Sequence, residues 1–107
     1  MSYFHNKNQI EINEILPGFE GRFVHTPELT IGHFHIKAGS LLPEHQHHHE
    51  QISNLISGTF EMTVDGETQT CEAGGIVTIP PNTLHSGKAL TDCYIIDVFR
   101  PARDDYK

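Results

Sequence analysis

The sequence predicts a single all-β domain, closed as a sandwich or barrel. Three observations carry that prediction. Apolar and polar residues alternate with period two in one run after another. Turn residues separate these runs at intervals of about 8–12 residues. No stretch repeats its apolar residues at the helical period of about 3.6.

The elements follow in chain order. Residues 10–15 and 21–25 are weak strand candidates. Residues 28–37 alternate clearly: Gly32, Phe34 and Ile36 share one face, and His33, His35 and Lys37 share the other. That second face places His33 and His35 at the surface or on a subunit contact. Residues 52–64 read as two strands around Ser57-Gly58, with Phe60, Met62 and Val64 on one face. Asp65-Gly66 is a hairpin turn, because both residues tolerate the positive φ that tight hairpins need. Residues 67–72 return as a strand, Gly74-Gly75 turns again, and Ile76–Ile79 is a short apolar strand. Pro80-Pro81-Asn82 is a further turn, and residues 93–99 form the last clear strand. Residues 101–107 are polar and read as a tail, with Arg103 as an exception.

Length and charge exclude several classes. At 107 residues the chain is one domain, residues 1–107. No apolar run approaches the roughly 20 residues of a membrane span, and the polar N-terminus lacks the apolar stretch of a signal peptide. The two cysteines, Cys71 and Cys93, are too few for a disulfide scaffold and read as inert strand residues. A reducing, cytoplasmic setting is the expectation. Seven Lys and Arg stand against fourteen Asp and Glu, a net charge of −7. The basic residues are scattered, so the cluster that holds nucleic acid is missing.

Histidine is the unusual component: nine in all, four of them between residues 45 and 49. His45, His47, His49 and Gln51 share parity and point to one side of an extended chain. His45 and His47 can bring two neutral imidazoles to one metal ion. Gln51 can add its amide oxygen. His85 can supply a fourth ligand, provided that barrel closure brings it across from a distant strand. His49 has the parity for a supporting or substrate-contact role, whereas His48 faces solvent.

The glycines around these residues give the pattern a name. Gly39, five residues, His45-x-His47, three residues, Gln51, six residues and Gly58 resemble the first motif of the cupin superfamily. Gly74, five residues, Pro80, then Asn82 and His85 resemble the second. The resemblance implies a double-stranded β-helix, or jelly-roll barrel, with metal motifs at residues 39–58 and 74–85. The cupin pattern usually has Glu at the position of Gln51, Gly at that of Asn82 and Asn at that of Ala89. Asn tolerates a left-handed turn nearly as well as Gly. Gln51 changes more, because three imidazoles and an amide leave the +2 of a divalent ion uncompensated.

Within the cupins the chain resembles the KdgF family. The resemblance rests on residues 45–52, 79–82, His85-Ser86 and the string from Asp97 to Tyr106. It implies a metal site at His45, His47, Gln51 and His85, holding one divalent transition ion such as Ni, Zn, Mn or Fe. It implies catalytic or substrate-contacting roles for Asp97, Phe99 and Arg103. The implied reaction is isomerisation of 4,5-unsaturated monouronates, made by pectin or alginate lyases, to linear keto uronates. A small anionic sugar is then the partner, and a homodimer the assembly, with Ile10, Ile12 and Ile15 as a strand that crosses to the second copy. A cupin that binds a ligand or metal without turnover, and a metal-dependent dioxygenase, are the alternatives.

The residues of the C-terminal string agree with these roles. Asp97 lies between Ile95-Ile96 and Val98-Phe99, where a carboxylate is costly to bury unless paired, bonded or protonated. Its proton affinity is therefore tunable, which suits proton transfer. Phe99 shares its face. Arg103 supplies a guanidinium fork for a carboxylate.

Overall fold

A computed structural model describes residues 2–107. Ten strands follow one another: β1 (Asn13–Leu16), β2 (Phe19–His25), β3 (Thr30–Ile36), β4 (Leu41–His45) and β5 (Glu50–Ser57), then β6 (Phe60–Val64), β7 (Glu67–Cys71), β8 (Ile76–Ile79), β9 (His85–Ala89) and β10 (Cys93–Arg100). Among the described residues, the only helical elements are 3-10 turns at Lys7–Gln9 and Asp104–Tyr106. No helix of the described residues is long and apolar enough to cross a membrane.

The strands form two antiparallel sheets, ordered β1-β2-β3-β10-β5-β8 and β4-β9-β6-β7. Period-two alternation decides which side chains enter the space between them. Along β3, Thr30, Gly32, Phe34 and Ile36 are buried and the residues between them are not. Along β10, Cys93, Ile95, Asp97 and Phe99 are buried in the same way. Phe19, Phe34, Leu55, Phe60, Met62 and Ile95 belong to the resulting core. Each such side chain contributes roughly 1.5–3 kcal/mol when removed from water.

The predicted turns are present. Asp65 and Gly66 have φ of 49° and 82° and close the β6–β7 hairpin. Asn82 also takes the left-handed conformation, with φ of 59°. His33 and His35 lie on the outer face of β3 as expected, half-buried against Tyr94; the His33 Nδ1 is 2.7 Å from its hydroxyl.

Three features depart from the expectations. Strand β4 was not foreseen, because Leu41–His45 contains Pro43, and β9 was foreseen only as the strand that carries His85, because His85–Ala89 is polar around Gly87. Gly87 belongs there for steric reasons: a side chain at that position would collide with the Phe60 ring. The second departure is the C-terminal segment, which is not a free tail. Ala102 and Arg103 are buried, and Tyr106 packs on Phe23 and Phe99. Third, the chain is not extended from His45 to Gln51. It leaves β4 at His45, bends, and enters β5 at Glu50, so strand alternation is not what brings His45, His47 and Gln51 together.

Candidate metal centre

Both sheets build the site. On the four-stranded sheet, β4 and β9 pair His45 directly with His85. On the six-stranded sheet, β5 presents Gln51 inward. His47 hangs from the bend that joins β4 to β5. Potential ligand atoms of His45, His47 and His85 all lie within 4.8 Å of one another. The ring centroids are 4.1 Å apart for His45–His85 and 5.0 Å for His47–His85. Barrel closure therefore brings His85 to the histidine cluster, as the metal reading requires.

Hydrogen bonding fixes which nitrogens face inward. The Nδ1 of His45 lies 2.8 Å from the Pro43 carbonyl, that of His47 3.0 Å from the His49 carbonyl, and that of His85 2.8 Å from the Thr83 carbonyl. A carbonyl only accepts, so all three Nδ1 atoms carry the proton and donate it. Every Nε2 is then a bare lone pair. The His85 Nε2 is buried with no hydrogen-bond partner. The Gln51 amide donates through Nε2 to the Ser53 hydroxyl at 3.0 Å, leaving its Oε1 3.1 Å from the His47 Nε2. These are two acceptors facing each other with no proton between them. Three nitrogens and one oxygen that converge as acceptors are what a cation needs, and the donor set fits a divalent transition ion.

Electrostatics favour the neutral, metal-binding form of the imidazoles. Burial lowers the pKa of His85 to about 4; the neighbouring His45, His47 and Arg103 add to the effect and its bond to Thr83 opposes it. Burial also lowers His47, with a contribution from Arg103.

Asp97 lies on the inner face of β10, directly opposite Ser53 on β5. Its carboxyl is buried, and the Oδ1 has no partner. Burial raises its pKa from 3.8 to about 6, partly offset by hydrogen bonds from Ser53 and Gln51 and by the Arg103 charge. Phe99, opposite Gln51, is 2% exposed and lines the same cavity as the histidines. Arg103 also lines it and is held on several sides. Its backbone N–H donates to the Thr30 hydroxyl at 2.8 Å, and its guanidinium lies 4.0 Å from the Tyr106 ring centroid and 4.8 Å from that of Phe99. The Nε and Nη2 groups donate to Asp105 at 3.0 and 2.8 Å. One edge of the predicted fork is thus occupied within the chain.

The seven residues assigned to the site from the sequence all line one cavity. His49 does not line this cavity: its backbone carbonyl accepts from His47, and its buried ring packs against His47 and His48. Sequence reasoning missed Ser53, Tyr106 and Asp105. Ser53 was within reach, since it follows Gln51 at strand spacing. Nothing in the sequence indicated that Tyr106 folds back.

A closed double sheet with imidazoles contributed by two separated motifs defines a cupin, and residues 32–99 match the model of the cupin domain. This chain belongs to that family. It is related to the pectin degradation protein KdgF of Dickeya dadantii (strain 3937), with 30% identity over 74 residues that cover 67% of each chain. The structure of KdgF from Halomonas sp. is similar with a TM-score of 0.92 at 30% identity, covering 100% of both chains. An RmlC-like cupin from Shewanella frigidimarina NCIMB 400 has a TM-score of 0.94 at 30% identity, covering 100% of this chain and 97% of the other.

Proposed function

We propose that this cupin is a metal-dependent isomerase that converts 4,5-unsaturated monouronates into their linear keto form, a step in pectin or alginate breakdown. The observation that carries this reading is the placing of a proton-transfer carboxyl and a guanidinium in one cavity with the four converging acceptors. The relationship to KdgF, whose name refers to pectin degradation, supports the substrate class.

When bound by His45, His47, His85 and Gln51, a divalent ion supplies Lewis-acid polarisation of a substrate oxygen. Arg103 offers its guanidinium to the uronate carboxylate. Phe99 walls the cavity and excludes water. Asp97 moves the proton. As a carboxylate it takes the proton of the C1 hydroxyl while the bond from C1 to the ring oxygen breaks. C1 becomes the aldehyde carbon, and the ring oxygen takes the proton from Asp97 to give an enol at C5. The enol hydroxyl then loses its proton and C4 gains one, leaving a ketone at C5. Atoms and electrons balance with no co-reactant. A carboxyl with a pKa of about 6 accepts and returns protons near neutrality, and such help is worth about 10²–10⁴-fold.

The net charge of −7 does not oppose an anionic substrate. Exposed charges beyond about 8–10 Å are screened at physiological salt, while Arg103 acts at contact.

The test is to incubate metal-loaded protein with lyase-generated unsaturated galacturonate and guluronate. We expect the absorbance of the conjugated double bond to decay faster than it does spontaneously with at least one of them. Asp97→Ala should return the rate nearly to the spontaneous one with its metal content unchanged. Spontaneous decay of both sugars in the presence of the wild-type protein refutes the assignment. Oxygen uptake with another substrate would indicate a dioxygenase, and saturable sugar binding without decay a binding cupin.

A further inference from the structure

We propose that Ser53 is a positioning residue for the metal centre: it determines which end of the Gln51 amide faces the imidazoles. This inference rests on the metal centre and not on the identity of the substrate.

A carboxamide has an accepting end and a donating end of nearly the same shape. Only the oxygen can ligate a cation. An amide turned the other way would donate from its NH2 group to the bare His47 Nε2, filling the site with a hydrogen bond and leaving no lone pair for the ion. In the metal-free protein that rotation is attractive, because His47 Nε2 and Gln51 Oε1 otherwise confront each other as acceptors at 3.1 Å. Something must hold the amide against it.

Ser53 is 4% exposed and receives the Gln51 Nε2 proton at 3.0 Å. A hydroxyl alone would be ambiguous, since it both donates and accepts. Its own neighbour removes the ambiguity. Ser53 faces Asp97 across the β5–β10 ladder, and both its hydroxyl and the Gln51 amide favour the ionised carboxylate there. A carboxylate only accepts, so the hydroxyl proton goes to Asp97 and the lone pairs remain for Gln51. The order of donation runs from the Gln51 amide to Ser53 and from Ser53 to Asp97. It leaves the Gln51 oxygen pointing at the histidines. A glutamate at position 51 would need no such partner, because its two oxygens are equivalent.

The experiment is calorimetric titration of Ni²⁺ or Zn²⁺ alone into wild-type protein, Ser53→Ala, Ser53→Thr, Gln51→Glu and the Gln51→Glu/Ser53→Ala double variant. Thermal unfolding of each metal-free protein is recorded in parallel. Loss of an orienting partner behind a metal ligand typically weakens affinity about 10–100-fold, and that is the loss expected for Ser53→Ala. Ser53→Thr keeps the hydroxyl and should stay within about threefold of the wild type. In the Gln51→Glu background, removing Ser53 should likewise change affinity by less than about threefold. Undiminished affinity of Ser53→Ala overturns the inference, as does an equal loss in both backgrounds. If Ser53→Ala does not fold, loss of affinity in a folded Ser53→Thr overturns it instead. Absence of metal binding by the wild type removes the metal centre itself, an outcome distinct from the other three.

Discussion

Strands β5 and β10 run side by side through the barrel, and the two ends of their shared inner face behave in opposite ways. At one end Leu55 faces Ile95, both buried in the apolar cluster. At the other end Ser53 faces Asp97, and Gln51 faces Phe99. A two-residue step along the same face separates a contact that stabilises the fold from a carboxylate whose ionisation opposes it. Backbone pairing is unbroken from Ile95 to Arg100, so the contrast between these rungs resides in the side chains. The apolar rung holds the sheets together, and that rigidity allows the polar rungs to keep acceptors unpaired.

This contrast predicts that damage at each end has a separate signature. The largest effect is expected from His85→Ala at the polar end. Metal-to-protein ratios by elemental analysis should fall to nearly zero, and turnover should fall to the spontaneous rate. Full retention of metal would break the division. Leu55→Ala at the apolar end should destabilise the fold by about 2–5 kcal/mol in chemical denaturation while leaving the metal ratio of the folded protein unchanged. A loss of metal there would show that the two ends are coupled. The smallest effect, and the one that sharpens the comparison most, is Asp97→Asn in metal-stripped protein. The native carboxyl has a pKa of about 6 and the reference value is 3.8, so the native state binds more protons between these limits. Stability therefore falls as pH rises from about 4 to 6, by roughly 3 kcal/mol in total. Asn does not ionise. The variant should exceed the wild type in stability by up to that amount at pH 7–8 and match it near pH 4. A variant less stable than the wild type at pH 8 would mean that Asp97 supports the fold.

The sequence exposed the all-β class because alternation in β3 and β10 reflects a property each strand carries alone. It also exposed the hairpin at Asp65-Gly66, since the turn conformation is a local preference. It was silent on β4 and on the extent of β9. Their residues are strands only because β6 and β9, and β4 and β9, pair with each other. The motif spacings singled out His45, His47, Gln51 and His85, which the structure brings together. His49, given a supporting role on parity, lies beside His47 but does not line the cavity.

By itself, then, the sequence determined the period-two alternation, the turn positions and the two motifs that hold the candidate ligands, because each depends on residues close together in the chain. Only the tertiary structure decided that His85 meets His45, that Arg103 has one edge engaged by Asp105, and that Ser53 stands between Gln51 and Asp97. Those facts depend on strand register and on a chain end folding back over the barrel. Register and docking arise from the summed packing of both sheets, and no short stretch of sequence contains that sum.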